Sequence, residues 1–158
     1  MSEHKTSDTA EQLQLKDFFP YRLSSLQAAV SAAVAQLYQG RFELTHHEWR
    51  LLATLHEYPE LSAKQLAEHT NLEKMQVSRA VARMTTRELL EQTPAEHDRR
   101  YLKLSLTEAG HQLYQQIVPL VLEREAWLLA DLNDEERRFL DQIMDRLLAR
   151  TRQLQAKD

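Results

Sequence analysis

Apolar residues recur at intervals of three and four along most of this chain, and they alternate with polar ones in one place, at Leu102, Leu104 and Leu106. The first spacing lines one face of an α-helix; the second lines one face of a half-buried strand. Several helical stripes and one alternating segment point to a mainly α fold with a small β-hairpin. The supply of chain-turning residues agrees, since two glycines and four prolines in 158 residues are too few for a sandwich or barrel.

The pattern divides as follows. Residues 1–17 are polar and read as a disordered tail. Phe18, Phe19 and Pro20 open a helix, with proline at its first turn. Its Leu23, Leu26, Val30, Val34 and Leu37 are expected to form one buried stripe, with Gly40 as a stop. Thr45-His46-His47-Glu48 and Ser62-Ala63-Lys64-Gln65 have the form of capping boxes, each opening a helix. After a turn at His69-Thr70-Asn71, a helix over Glu73–Arg87 turns Val77, Val81 and Met84 inward. Lys74, Gln76, Arg79 and Arg83 lie off that stripe. Leu89–Gln92 and Tyr101–Leu106 read as two strands around a charged loop. Thr107 caps a long helix to about Leu129, where Pro119 predicts a kink. Asn133-Asp134-Glu135-Glu136 opens a last helix with a wide apolar face from Phe139 to Leu148.

Charge is unevenly spread. The chain carries a net −4, yet residues 62–107 hold eight Lys or Arg against six Asp or Glu, and both flanks are acidic. A basic island between acidic helical flanks suits a central nucleic-acid reader. Without cysteine there are no disulfides, thiolate metal sites or cysteine nucleophile. No apolar run approaches the roughly 20 residues that span a bilayer. The first residues lack the apolar stretch of a signal peptide, so no membrane association and a cytoplasmic location are expected. Adjacent helical histidines such as His46 and His47 point about 100° apart, and His47-Glu48 lacks the second histidine of a zinc protease helix. With no glycine-rich phosphate loop either, the sequence predicts no metal, no cofactor and no enzymatic activity. The competing reading from another class is a helical protein-interaction module without DNA binding, its basic island meeting an acidic partner.

Helix, turn, helix and hairpin in that order make a winged helix, whose second helix fits the major groove. Leu66-Ala67-Glu68, Val77-Ser78-Arg79, Asp98-Arg99-Arg100 and Leu104-Ser105-Leu106-Thr107-Glu108-Ala109-Gly110 together resemble the MarR family of bacterial transcription regulators, over about residues 18–152. The resemblance implies a winged helix-turn-helix DNA-binding domain at 45–107, flanked by dimerisation helices at 18–44 and 108–158. It implies a homodimer that reads an inverted repeat in double-stranded DNA, commonly as a repressor released by a small aromatic acid. It places Lys74, Met75, Gln76, Ser78 and Arg79 at the bases, Arg100 in the minor groove and Asp98 as its orienting partner, with Arg99 beside them. Where the family usually has glycine before the first wing strand, this chain has Glu88. Either the turn differs, or a non-glycine residue there carries left-handed strain.

Other roles are open from sequence. Ser62 caps a helix and can also meet a phosphate. Arg83 faces either phosphate or solvent. Asp98 and Arg100 can form an ordinary exposed ion pair. Arg22 either holds a ligand carboxylate with its planar fork or pairs with an acidic neighbour across a dimer. Trp49 is core or pocket wall, and His46 surface or pocket lining. Arg22, His46 and Trp49 are the candidate effector contacts.

Overall fold

The computed structural model describes residues 13–95 and 102–155. Among them are six helices and one hairpin: α1 (Phe19–Gln39), α2 (His46–Glu57), α3 (Ala63–Thr70), α4 (Lys74–Thr86), β1 (Leu90–Pro94), β2 (Leu102–Leu106), α5 (Glu108–Leu128) and α6 (Asp134–Gln155). None of them is long and apolar enough to cross a membrane. The fold is mainly helical and of the winged helix-turn-helix kind, as the spacing predicts.

Local chemistry sets the helix starts. Thr45 Oγ1 accepts from Glu48 N while a Glu48 carboxylate oxygen accepts from Thr45 N, and Ser62 and Gln65 repeat the exchange at α3. Asn133 Oδ1 accepts from the amides of Glu135 and Glu136, and Glu136 returns the bond to Asn133 N. Each exchange satisfies donors that a helix N-terminus leaves orphaned. α3 continues through Thr70, two residues further than the sequence suggests, and stops at Asn71 in the left-handed region with φ 51°. α5 runs across Pro119 as one helix.

The hairpin pairs Leu90 with Leu106 and Gln92 with Leu104, antiparallel. Leu104 N also donates to Leu61 O at 2.8 Å, so the stretch between α2 and α3 adds a one-residue bridge to the wing. No alternation marks Leu61, which is why the sequence does not show this contact. Leu104 and Leu106 are buried, but Leu102 at the far end is exposed.

The core lies between α2, α3, α4, the hairpin and the facing halves of α1 and α5. Leu51, Leu52, Leu55, Leu66, Val77, Met84 and Ile117 are almost wholly buried in it. The expected stripe on α1 is only partly so: Leu23 and Leu26 are 51% and 61% exposed, whereas Val34 and Leu37 are half-buried. The physical reason is length, because only the C-terminal part of α1 lies against α2 and α5 while its first turns project beyond them.

Among the described residues the left-handed positions fall on Glu43, Glu60, Asn71 and Glu88, and on neither glycine. Gly40 ends α1 in right-handed conformation with open space around it, and the left-handed step of the connection falls on Glu43. Gly110 is needed for closeness: a Cβ there would meet the Leu89 carbonyl oxygen at 2.2 Å. Glu88 does adopt φ 57°, so the wing turn keeps its left-handed step without glycine. Its carbonyl accepts from Thr107 Oγ1 at 2.6 Å, and Leu89 O accepts from Thr107 N at 3.1 Å. Those bonds hold the strained residue in place.

Candidate nucleic-acid interface and effector groove

α4 is fixed by its inner face. Val77, Ala80, Val81 and Met84 are buried, so the helical repeat turns Lys74, Met75, Ser78 and Arg79 outward over the first two turns. Met75 is 61% exposed on the same face. Among the described residues, neither Lys74 nor Arg79 has a carboxylate within salt-bridge distance. The outward face therefore carries uncompensated positive charge.

Three other predicted contacts are engaged inside the protein. Gln76 Oε1 accepts from Glu73 N at 2.9 Å and so caps α4. Ser62 serves the α3 capping box, donating to Gln65 Oε1 and accepting from Gln65 N. Arg83 Nε donates to the buried Glu48 carboxylate at 2.8 Å, which gives this arginine a structural partner that the sequence reading did not include. Asp98, Arg99 and Arg100 lie outside the described residues. An apolar cleft of about 650 Å³ separates α3 and α4 from the hairpin, with Lys64 and Lys74 on its rim.

A second hollow, about 320 Å³, lies between α1 and α2 and is lined by Gln27, Val30, Ser31, Val34, Tyr38, His46, Trp49 and Arg50. It brings His46 and Trp49 together but does not include Arg22. At 1.5 Å per residue, Arg22 sits roughly 7.5 Å further along α1 than Gln27, on the exposed first turns. The cation at this groove is Arg50, which sequence reasoning missed; its place one residue after Trp49 is the only signal for it. Trp49 is both wall and packing element. Its ring stacks on Tyr38 at 5.5 Å and on Tyr114 at 6.0 Å, and Tyr114 in turn stacks on His56 at 3.8 Å.

The electrostatics of the groove follow from burial. Tyr38 Oη and His46 Nδ1 are 3.0 Å apart in a hydrogen bond. Burial raises the Tyr38 pKa above the usual phenol value, and Arg50 offsets part of that rise. Burial lowers the His46 pKa from its ordinary 6.5, and Arg50 and His47 push it the same way. The groove thus offers a neutral imidazole, a protonated phenol, a flat indole and one guanidinium. Among the described residues no cluster of three or more His, Cys, Asp or Glu is placed to hold a metal ion.

Comparison with known proteins gives this geometry a context. The sequence model of the MarR family matches residues 42–100, from the end of the α1–α2 connection into the wing. The fold resembles a MarR/EmrR family transcriptional regulator from Acinetobacter sp. ADP1, with a TM-score of 0.81, 23% identity, and coverage of 89% of this chain and 99% of that one. It also resembles BpsR of Bordetella bronchiseptica, whose DNA binding is regulated by 6-hydroxynicotinic acid (TM-score 0.77, 20% identity, 86% and 96% covered). A third similar structure is the regulator PcaV of Streptomyces coelicolor in complex with its natural ligand (TM-score 0.72, 21% identity, 87% and 96% covered). The MarR family's sequence pattern thus matches across the winged helix, and the fold over nearly the whole length of the chain is similar to that of solved MarR-family regulators.

Proposed function

We propose that this chain is a MarR-family transcription regulator that binds an inverted repeat in duplex DNA as a homodimer, and that a small aromatic carboxylate bound between α1 and α2 releases it, so that it acts as a repressor. The observation that carries the DNA reading is the exposed face of α4, where Lys74 and Arg79 stand without carboxylate partners among the described residues, beside Met75 and Ser78 on a helix locked to the core. Lys74 and Arg79 serve phosphate and base edges, with Met75, Gln76 and Ser78 between them, and Ser62 at the start of α3 meets the backbone. Arg83, its charge balanced by Glu48, stays 58% exposed and can still donate to a phosphate from the part of its guanidinium that Glu48 leaves free. Arg100 enters the minor groove, oriented by Asp98 and flanked by Arg99.

Dimerisation is supported by the apolar residues that α1 and α6 leave uncovered, among them Leu26, Phe139, Ile143 and Leu147. Segments 18–44 and 108–158 thus form the shared interface, and 45–107 is the DNA-binding domain. The effector reading rests on the groove chemistry: Arg50 matches a carboxylate, Trp49 a flat ring, and Tyr38 and His46 a ring substituent. BpsR and its acid are a precedent for a regulator of this fold.

The test begins with a duplex selected from a random-sequence pool and labelled for fluorescence anisotropy. Affinity is expected to fall steeply as salt rises. Arg79→Ala and Arg100→Ala are each expected to weaken binding by ~1–3 kcal/mol. Binding that ignores both substitutions removes α4 and the wing from the mechanism. A panel of benzoates and 6-hydroxynicotinate then tests release, and Arg50→Gln is expected to abolish the response to whichever acid acts.

A further inference from the structure

We propose that Glu48, Arg83 and Arg87 form a clamp through which the first turn of α2 positions α4, so that the groove between α1 and α2 and the outward face of α4 respond to each other. The inference rests on the DNA reading given above for α4, but not on the identity or existence of an effector.

Glu48 is where the two regions meet. Its side chain is fully buried, one oxygen accepting from Thr45 N at 2.6 Å and the other from Arg83 Nε at 2.8 Å. A capping glutamate needs only the first bond and works well at a surface. Burying its charge is costly unless a cation meets it. That cation comes from the helix 35 residues on, so the cap of α2 and the placement of α4 are one structure.

One turn beyond Arg83, Arg87 repeats the connection. Its two terminal nitrogens donate to the carbonyls of Phe42 and Glu43, each at 3.0 Å. These carbonyls belong to the short connection between α1 and α2, which joins one wall of the groove, Tyr38, to the other, His46, Trp49 and Arg50. The connection has little slack: Leu44 N is bonded to Tyr38 O at 3.0 Å, and Glu43 is held at φ 53°. A change in the spacing of α1 and α2 must therefore pull on the groups that Arg83 and Arg87 hold. These arginines lie at i and i+4, on one side of α4, so the helix follows as a body. Coupling of this kind is reciprocal: DNA on α4 must also disturb the groove.

That reciprocity supplies the test. The chain has two tryptophans, Trp49 and Trp127, and Trp127 is 73% exposed. In a Trp127→Phe background, Trp49 is the one remaining tryptophan and its emission reports on the groove wall and the α5 packing behind it, while the anisotropy of a labelled duplex selected from a random-sequence pool reports binding separately. The expected result is an emission shift that tracks the anisotropy. With Glu48→Gln or Arg87→Gln, anisotropy is expected still to saturate while the emission shift is lost, and Arg87→Lys, which keeps one donor near the connection, is expected to restore part of it. An emission shift that persists in both glutamine variants, or a silent Trp49 at saturating DNA in the Trp127→Phe protein, overturns the clamp. Should Glu48→Gln fail to fold by circular dichroism, Arg87→Gln decides alone, because Arg87 is exposed and its loss leaves the core intact. If no duplex raises the anisotropy, the DNA reading fails and the clamp with it, an outcome distinct from DNA that binds without moving Trp49.

Discussion

The winged-helix lobe and the two outer helices use the same apolar spacing to opposite ends. In the lobe, Leu51, Leu52 and Leu55 on α2 recur at the helical interval and have no exposed surface. On α6, Leu140, Ile143, Leu147 and Leu148 recur just as regularly, yet are 37%, 50%, 40% and 53% exposed, and the helix scarcely touches the rest of the chain. The first half of α1 behaves like α6. Periodicity tells which face is apolar; it does not tell whether the cover comes from the same chain. A contiguous apolar face of this extent on a single chain marks an interaction surface, and the lobe has no counterpart to it.

The comparison breaks most easily at α6. Ile143→Asp together with Leu147→Asp would bury two unpaired carboxylates in the proposed dimer, at a cost of several kcal/mol each. We expect a monomer in sedimentation at concentrations where the native chain is a dimer, with the lobe still folded. An unaltered dimer would place the interface elsewhere. Leu52→Ala tests the other side. It opens a cavity in a site with no solvent access and is expected to cost about 2–5 kcal/mol in chemical unfolding, without changing the association state of whatever folds.

Two smaller changes sharpen the account of the lobe. Gly110→Ala drives a methyl group into the Leu89 carbonyl, which belongs to the wing turn and cannot swing aside as a side chain would. A loss of about 3 kcal/mol is expected. Glu88→Gly acts in the opposite direction. Relief of left-handed strain contributes about 1 kcal/mol, part of which the greater unfolded-state freedom of glycine removes. A small net rise in melting temperature is the expected readout; a fall would mean that the Glu88 side chain holds the turn in some other way.

Legibility in the sequence tracked how local the cause was. Caps at Thr45, Ser62, Thr107 and Asn133, the inner stripe of α4 and the β2 alternation are set by residues within a few positions of each other, and all could be read directly. The order of elements then suggested a winged helix, and the left-handed turn at Glu88 was one of two alternatives already visible. What could not be read depends on partners far along the chain. Nothing near Glu48 shows that Arg83 will bury against it, and nothing near Arg22 shows that α1 projects past the groove, so that Arg50 stands there instead. Leu61 joins the wing through one backbone bond that leaves no side-chain pattern.

The smallest expected effect lies where lobe and outer helices touch. His46 opens α2, faces α1 through its bond to Tyr38, and has its pKa lowered from 6.5 by burial, with Arg50 and His47 adding to the shift. In the unfolded chain these influences vanish, so as pH falls below about 6.5 the unfolded state takes up the proton first. The contribution of His46 to stability is then fully present above the unfolded value and declines as pH drops toward and through the lowered folded one. His46→Asn, which keeps a polar group near Tyr38 but does not titrate, is expected to flatten that part of the pH dependence. Urea unfolding of both proteins at mildly acid and at neutral pH makes the comparison: the native chain should lose more stability on acidification than the variant. Equal losses would mean that the junction between α1 and α2 admits water freely enough to hold a charged imidazole. The groove would then be a poor place to recognise the flat, weakly hydrated ring proposed for it.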